Sequence, residues 1–262
     1  MLDIKLNQTA IKAFSKDEYC PLQLKSMYVD KTHTLKVNEY MLRGQYFETQ
    51  CIGLGAQGQK TMDLPRLKNG NKGVDHQRID KQINNFGNVL KEYKMKIDQK
   101  QVEYRFPIEV EGKNVILFGT ADFISSIEDT KLGLQPKAIV DLKLTSSLYK
   151  QFGDYSWYFP HNMDHTQAYM YTMLHELIHD ERLPFYYMVF DYKPAPEHKI
   201  IRKTVEEMEI REVKESIRST VAKINHHNDT TWDTNSNYNN CKDCPLEKAC
   251  KDYNPIKPIQ VC

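Results

Sequence analysis

The chain has no long hydrophobic run: no stretch of about 18 apolar residues occurs in its 262 positions, so the sequence predicts no transmembrane helix. The first residues, MLDIKLNQTAIKAF, also lack the apolar core of a secretory signal peptide. We therefore expect an intracellular protein of the cytoplasm. In that compartment, cysteines serve metals more often than disulfides.

Other common signatures are missing as well. There are no internal repeats, no glycine-rich phosphate loop and no dinucleotide-binding fingerprint. The formal net charge is only +1, so the overall charge neither favours nor excludes a polyanionic partner. With 40% hydrophobic and 27% charged residues, the composition is that of an ordinary globular protein with a buried core.

The periodicity of the apolar residues predicts a mixed α/β fold. A capping box formed by Ser15 and Glu18 predicts a helix that runs toward Tyr28. Further helices are expected over 37–52, 75–96, 163–178 and 206–225, with a mobile Gly-, Asn- and Lys-rich loop over 53–74. Strands are expected over 102–110 and 114–125, joined by a tight turn at 111–114, and then over 137–146, from 185 and over 199–207.

Four of the six cysteines are spaced in a pattern that suits metal ligands. Cys241, Cys244 and Cys250 follow a C-x2-C-x5-C spacing, and Cys20 lies 221 positions upstream of Cys241. Four thiolates suit a tetrahedral metal or an iron–sulfur cluster. A cluster bound by all four cysteines would close a long loop of chain, and the entropy of that closure corresponds to roughly 5 kcal/mol. A zinc knuckle made from the tail alone and inert free thiols remain open. The other two cysteines, expected to be buried or terminal thiols, are Cys51 and Cys262.

Two aspartates interrupt runs that otherwise read as buried strands. Asp122 stands in GTADFI and Asp141 in IVDLKL, and a buried carboxylate is costly unless it is paired or bound to a metal. Because residues two apart on a strand share a face, Asp141 and Lys143 should project together. Two carboxylates on neighbouring strands beside an ammonium can hold a hard divalent cation and position a water for attack on phosphorus. The alternative is a structural Asp–Lys ion pair with an unrelated aspartate.

A further pair lies on the helix predicted after these strands. Gln167 and Tyr171 in MDHTQAYMYTML are four residues apart and therefore share one helix face. A tyrosine-rich amphipathic helix without a site would show the same spacing.

Basic residues are concentrated between positions 66 and 100. Nine Lys and Arg stand there against four acidic residues, which gives a local net charge of +5. Such a segment can form a phosphate-binding face, and a solvated helix face would show the same composition. The candidate phosphate contacts are Arg66, Lys68, Lys72, Lys91, Lys94 and Lys96.

The order of these residues resembles the PD-(D/E)xK nuclease superfamily. In particular, it looks like the RecB/AddB-type nucleases and the CRISPR-adaptation nucleases that carry a 4Fe–4S cluster. The resemblance covers Cys20 to Cys250 and rests on Asp122, Asp141-x-Lys143, Gln167-x3-Tyr171 and the C-x2-C-x5-C motif. It implies a restriction-endonuclease-like fold, in which a mixed central sheet is flanked by helices and a cysteine cluster joins the N- and C-terminal segments.

The resemblance also implies roles for the site residues. Asp122 and Asp141, with the carbonyl of Leu142, would bind Mg²⁺ or Mn²⁺, and Lys143 would orient or activate the attacking water. Gln167 and Tyr171 would support the site and the DNA backbone. The implied ligands of the 4Fe–4S cluster, with structural Zn²⁺ as the alternative, are Cys20, Cys241, Cys244 and Cys250. Residues 1–240 would then form the nuclease core and 241–262 a cysteine-rich tail.

The family also has an acidic or His residue on an early helix, after a glycine. Here RGQYFETQ places Gly44 and Glu48 at that point, where RecB-like members usually show His and lambda-exonuclease-like members show Glu. A carboxylate is chemically competent as a metal ligand, although a surface glutamate is the alternative reading of Glu48. A proline before the first aspartate is absent, since Thr120 and Ala121 precede Asp122.

The resulting expectation is a metal-dependent deoxyribonuclease that processes DNA ends or single strands in phage or bacterial recombination, replication or repair. Exonuclease action is favoured by the resemblance alone. The alternatives are a DNA-end-binding adaptor that keeps the fold without turnover, and a nuclease directed at RNA. The intact Asp122, Asp141 and Lys143 favour an active enzyme. A helicase or recombination partner and the oligomeric state are left open.

Overall fold

The computed structural model describes residues 4–35, 37–53, 64–66, 68, 70–128, 136–152 and 155–256. The fold is mixed α/β, with a central mixed sheet flanked by helices. Its strands are β1 (Ile4–Leu6), β2 (Met95–Val110), β3 (Lys113–Ile127), β4 (Lys137–Thr145), β5 (Gln151–Phe152), β6 (Tyr155–Ser156), β7 (Phe185–Asp191) and β8 (His198–Lys203). Its helices are α1 (Gln8–Ser15), α2 (Pro21–Leu24), α3 (Glu39–Ile52), α4 (Val74–Glu92), α5 (Thr166–His179), α6 (Glu207–Asp229) and α7 (Tyr238–Cys241).

The chain forms two compact units. Unit 1 consists of Met1–Val37, Arg105–Phe118 and Arg211–Cys262, and unit 2 consists of Asn38–Tyr104 and Gly119–Ile210. Strands β2 and β3 and helix α6 each contribute residues to both units. The predicted boundary at residue 240 between a core and a tail stays a prediction.

The sheet of unit 2 is organised around β4 and β7. Strand β4 pairs in antiparallel fashion with β3 and in parallel with β7, whose other edge pairs with β8. Every residue of β7 is buried, as expected for a central strand whose sequence FYYMVF is apolar and aromatic up to Asp191. Because parallel strands need a crossover connection, the chain passes through α5 between β4 and β7.

Helices α3 and α4 supply the apolar side chains that cover one face of this sheet. Phe47 of α3 lies 5.2 Å from Phe190 of β7 between ring centroids, and Phe86 of α4 lies 6.2 Å from Phe123 of β3. All four rings are buried. Burying one such side chain stabilises the fold by about 1.5–3 kcal/mol, so this aromatic layer fixes the helices on the sheet.

Unit 1 contains the predicted tight turn of the long β-hairpin. Strands β2 and β3 are joined by Glu111 and Gly112, whose φ angles are +52° and +67°. Two positive φ angles in a two-residue connection match the turn type that suits the twist of a hairpin, so the predicted turn is confirmed. In the same unit, β1 pairs in parallel with β3, with Lys5 opposite Ile116.

The predicted helix start at Ser15 is wrong. Helix α1 ends at this residue, and its N-cap is Asn7, whose side chain accepts a hydrogen bond from the Ala10 amide at 2.9 Å. The Ser15 hydroxyl donates instead to the carbonyl oxygen of Ile11 at 2.8 Å, a bond within the last turn. The next helix begins six residues later at Pro21, in a first turn where a missing amide is tolerated.

The predicted helix over 75–96 is real but ends earlier. Helix α4 stops at Glu92, and Lys94 then adopts a left-handed conformation with φ of +47°, which turns the chain into β2. Lys96 therefore lies on a strand. Most of the loop predicted over 53–74, together with Cys262, falls outside the described residues. In the part of the chain that the structure describes, no helix is long and apolar enough to cross a membrane.

Candidate active site

Two buried aspartates lie next to each other where β3 and β4 pair. Phe123 of β3 is opposite Val140 of β4, so Asp122 and Asp141 occupy the adjoining position of the antiparallel pair, on the other face of the sheet. Their residues are 8% and 2% exposed. Asp122 Oδ2 accepts a hydrogen bond from the Leu142 amide at 2.6 Å, which ties the carboxylate of one strand to the backbone of the next.

Helix α5 and the end of β4 complete the surroundings of Asp141. The side-chain amide of Gln167 donates to Asp141 Oδ1 at 2.6 Å. Asp141 Oδ2 forms an ion pair with the ammonium of Lys143, yet among the described residues no donor reaches this oxygen with hydrogen-bond geometry. The pairing of residues 141 and 143 on one strand face is the arrangement that their spacing predicts.

Glu48 of α3 belongs to the same charge cluster and has a partner that the sequence did not reveal. The side-chain amide of Gln101 donates to Glu48 Oε1 at 3.2 Å. Gln101 stands within β2 with φ of +50°, a left-handed conformation that is uncommon outside glycine. Such an irregular position in a strand is typical of a β-bulge, which redirects a side chain beside a site.

Tyr171 lies one helical turn after Gln167 and is 5% exposed. The backbone of Thr120 donates a hydrogen bond to its hydroxyl oxygen. A Cβ added to Gly119 would lie only 2.5 Å from Cε1 of Tyr171, closer than real contacts allow. Because Gly119 has no side chain, the ring of Tyr171 can pack directly against β3.

The charges of the site are only partly balanced. Burial raises the pKa of Asp122 well above its ordinary range, and the charges of Asp141 and Glu48 raise it further, while Lys143 opposes them. Burial also raises the pKa of Glu48, against the hydrogen bond from Gln101 and the charge of Lys143. Carboxyl groups with raised pKa values indicate that additional positive charge would be stabilised here.

The oxygen donors of this cluster suit a hard divalent cation. Within the described residues, no three His, Cys, Asp or Glu side chains form a ready-made metal-binding group. Mg²⁺ does not require one, because it usually binds one or two carboxylates and keeps several waters and substrate phosphates as further ligands. Asp141 and the adjacent Asp122 supply two buried carboxylates of that kind.

The Asp-x-Lys spacing recurs at the end of β7, in Asp191 and Lys193. Asp191 is fully buried and its Oδ2 lies 3.0 Å from Lys193 Nζ. Its Oδ1 accepts hydrogen bonds from the Glu197 amide at 3.0 Å and from the Gln82 side chain at 3.3 Å. These bonds fix the connection between β7 and β8, so this pair has a structural explanation.

The six predicted phosphate contacts are all exposed and all belong to unit 2. Lys72 forms an ion pair with Asp80 at 2.7 Å. Lys91 lies on α4, Lys94 in the following turn and Lys96 on β2, so these three do not share one helix face. Their contact with DNA stays a prediction.

The four cysteines predicted to bind a cluster belong to unit 1, and each carries a free thiol. Burial raises the pKa of Cys244, and its electrostatic interactions with the other three raise it further. The backbone amides of Asn235 and Asn254 donate to the sulfur atoms of Cys20 at 3.5 Å and Cys241 at 3.4 Å. Amide hydrogen bonds to sulfur are among the interactions that tune metal-bound thiolates. Cys244 thus interacts electrostatically with the other three, but among the described residues no three of the cysteines form a group that could hold a metal, and the cluster stays a prediction.

Comparisons with known proteins identify a matching family and a similar fold. A family model described as the PD-(D/E)XK nuclease superfamily matches residues 56–251, about three quarters of the chain. A crystal structure of a candidate exonuclease from Eubacterium rectale superposes with a TM-score of 0.64 over 98% of this chain and 91% of that chain. The sequence identity is 16%, so this likeness shows a shared fold.

A second solved structure, that of SSO0001, covers 97% of this chain and 89% of that chain at 16% identity. Its TM-score of 0.42 is too low to support a shared fold. Among curated proteins, the search finds no match.

Replacing Asp122 by Asn should stabilise the protein in EDTA, and the gain should grow as the pH rises from about 4. A carboxyl group whose native pKa is raised contributes stability below its unfolded pKa and loses that contribution as the pH rises through the native value. Asn keeps an acceptor for the Leu142 amide. Urea unfolding at pH 5 and pH 8 measures the difference, and equal or opposite effects would contradict it.

Replacing Gly119 by Ala should lower the free energy of unfolding by about 1–3 kcal/mol, because the new methyl group overlaps the ring of Tyr171. The matched control is Gly87→Ala in α4, where nothing lies within 4 Å, and there a gain of about 0.5–1 kcal/mol is expected. The cost at position 119 should disappear in a Tyr171→Ala background. If Gly119→Ala is equally destabilising in that background, the loss of stability does not come from contact with the ring of Tyr171.

Proposed function

The chain belongs to the PD-(D/E)XK nuclease superfamily, and we propose that it is a metal-dependent deoxyribonuclease acting on DNA ends or single strands. The observation that carries the proposal is the pair of buried aspartates, Asp122 and Asp141, on paired strands with the ammonium of Lys143 beside them. Exonuclease action is preferred because the chain shares its fold with a candidate exonuclease. Phage or bacterial recombination, replication or repair is the setting that fits such an enzyme, with a helicase or recombination protein as a compatible partner.

Asp122 and Asp141 would hold Mg²⁺ or Mn²⁺, with Glu48 and the Leu142 carbonyl as further candidate ligands. The bound cation supplies Lewis-acid stabilisation of charge on the phosphate. Gln167 fixes the orientation of Asp141 through its 2.6 Å hydrogen bond. The fit is supported by the two adjacent buried carboxylates and by the raised pKa values of Asp122 and Glu48.

Lys143 would orient the attacking water and stabilise the negative charge that develops on the phosphate oxygens. Its ammonium is held beside Asp141 and is only partly exposed, so its position is set before the substrate binds. Tyr171 has a pKa raised by burial and by the charge of Asp141, which keeps its hydroxyl neutral. This tyrosine would shape the floor of the site beside Thr120.

The exposed basic residues would contribute electrostatic attraction for the DNA backbone. Lys91, Lys94 and Lys96 surround the turn from α4 to β2, and Arg66, Lys68 and Lys72 lie before α4. Phosphate contacts of this kind supply affinity without reading the base sequence.

We also propose that Cys20, Cys241, Cys244 and Cys250 bind one 4Fe–4S cluster that connects the N- and C-terminal segments of unit 1. The support is the electrostatic interaction of the Cys244 thiol with the other three free thiols, together with the amide hydrogen bonds to two of the sulfur atoms. The cluster would act structurally, by closing a long loop of chain. Structural Zn²⁺ is the alternative occupant of the same thiols.

Asp141→Asn and Lys143→Met should each lower Mg²⁺- or Mn²⁺-dependent DNA cleavage at least about 100-fold, because loss of one preorganised charge-stabilising group costs about that much. The matched controls are Asp191→Asn, which alters the pair of Asp191 and Lys193, and Lys137→Met, which alters a solvent-side ion pair on the strand that carries Asp141. Both controls should cleave like the parent per folded molecule.

The cleavage assay also separates the alternatives. DNA-end binding by the parent without cleavage at any divalent cation concentration would assign the chain to the adaptor class. Faster cleavage of RNA than of DNA would identify the chain as a nuclease directed at RNA. Parental rates for Lys143→Met would make the pair with Asp141 a structural ion pair and overturn the proposal.

Protein purified without oxygen should be brown and contain about four irons per chain, as one 4Fe–4S cluster requires. Cys20→Ser should lose that iron and unfold at a lower temperature, since the loop is then no longer closed. Cys51→Ser is the control, because this cysteine lies on α3 in unit 2, and it should keep the iron. One zinc per chain without iron would replace the cluster by structural zinc.

A further inference from the structure

Three aromatic side chains that the candidate site does not use are exposed in the segment between β4 and α5. Tyr149, Tyr158 and Phe159 are 55%, 52% and 50% exposed. They form one contiguous group, since the ring centroids of Tyr149 and Tyr158 are 6.1 Å apart and those of Tyr158 and Phe159 are 4.5 Å apart. Grouped apolar surface left in water marks an interaction site more often than isolated exposed residues do.

The fold holds these rings outward by burying their neighbours. Leu148 and Trp157 are 1% and 3% exposed, and each directly precedes an exposed tyrosine. Trp157 packs against Tyr187 of β7, with a centroid distance of 6.0 Å. Because the buried side chains of Leu148 and Trp157 anchor the backbone beside Tyr149 and Tyr158, the backbone itself directs these rings toward solvent.

Two lysines from the β7–β8 region lie over the rings. Lys199 Nζ is 4.7 Å from the ring centroid of Tyr149 and 5.3 Å from that of Tyr158, and Lys193 Nζ is 5.3 Å from that of Tyr149. Lys199 Nζ also donates to the carbonyl oxygens of Leu148 at 3.3 Å and Trp157 at 3.4 Å. Rings and carbonyl groups carry no full negative charge, so Lys199 keeps its positive charge for an anion. Lys193 shares its charge with Asp191 and Glu197.

We propose that this aromatic platform, defined as Tyr149, Tyr158 and Phe159 with Lys193 and Lys199, binds single-stranded DNA. Unpaired bases would stack on the three rings, and Lys199 would contact the phosphate backbone. Exposed aromatic rings beside positive charge are the combination with which proteins bind single strands without sequence preference. The bases of an intact duplex stack on one another, so an unpaired strand or a frayed end fits the platform better. This inference rests on the proposed nuclease function and names the form of its substrate.

The position of the platform in the chain favours a role beside the reacting phosphate. Strand β4 carries Asp141 and Lys143, and α5 carries Gln167 and Tyr171, so the platform segment joins two elements of the candidate site. Tyr149 follows Lys143 by six positions, a span of at most about 20 Å of extended chain. A strand stacked on the platform would therefore lie within a few nucleotides of the site.

The platform is tested by fluorescence anisotropy on the full chain, in EDTA so that no cleavage occurs. The probes are a labelled oligothymidylate and an oligomer of the same length in which every nucleotide is abasic. The parent should bind the base-bearing strand about tenfold more tightly or better. Tyr149→Ala, Tyr158→Ala and Phe159→Ala should each lower that affinity roughly fivefold or more, and should leave affinity for the abasic strand unchanged.

Two control variants distinguish stacking from general surface effects. Tyr158→Phe keeps a ring and should keep the affinity, whereas Met208→Ala removes another exposed apolar side chain of unit 2 and should change nothing. Equal parental affinity for the two strands, or the same loss on both in the alanine variants, would overturn the platform and assign the rings to another occupant such as a protein. Cleavage by the parent in that case would leave the nuclease proposal standing. Base-dependent binding by a parent protein that does not cleave DNA would support the platform and contradict the nuclease proposal.

Discussion

The site depends on keeping negative charge buried between two paired strands. Asp122 and Asp141 cannot separate, because their neighbours Phe123 and Val140 are paired in the sheet. Their charge is offset from three directions, by the Leu142 amide, the Gln167 side chain and the Lys143 ammonium. Each donor comes from the sheet or from α5, so the elements that form the core also set the electrostatics. Burial raises the pKa of Asp122, so the ionised form of this carboxyl group costs stability, a cost that is typical of functional sites.

The pattern of the sequence predicted the fold class and most elements, because buried strands and amphipathic helices leave a periodic signal. The sequence pattern did not predict the ends of helices where the backbone conformation of one residue determines the boundary. Ser15 and Glu18 match a capping box, yet Asn7 caps the helix that ends at Ser15. The helical pattern before Lys96 continues beyond Glu92, but the left-handed φ of Lys94 ends it. Local residue preferences do not determine which of two compatible conformations the tertiary structure selects.

The candidate site was predictable where its geometry lies within one element. Asp141 with Lys143 and Gln167 with Tyr171 come together because strand and helix periodicity place them on one face. Gln101 and Gly119 were missed, because each acts on a residue of another element, Glu48 and Tyr171. A glycine within an apolar strand was a usable signal for close approach, whereas Gln101 gave none. The pair formed by Asp191 and Lys193 shows that an Asp-x-Lys spacing does not by itself identify a candidate catalytic site, because the surrounding residues decide whether the pair is structural.

The division of the chain into two interleaved units has a consequence for synthesis on the ribosome. Every residue of unit 2 precedes Arg211, whereas unit 1 includes the segment that starts at Arg211. Because chains emerge from the N-terminus and domains fold as units, the carboxylate cluster can assemble while the first 37 residues still lack their C-terminal partners. Cys20 emerges from the ribosome more than 200 residues before Cys241, so the four cysteines can interact only after Cys250 has also been synthesised.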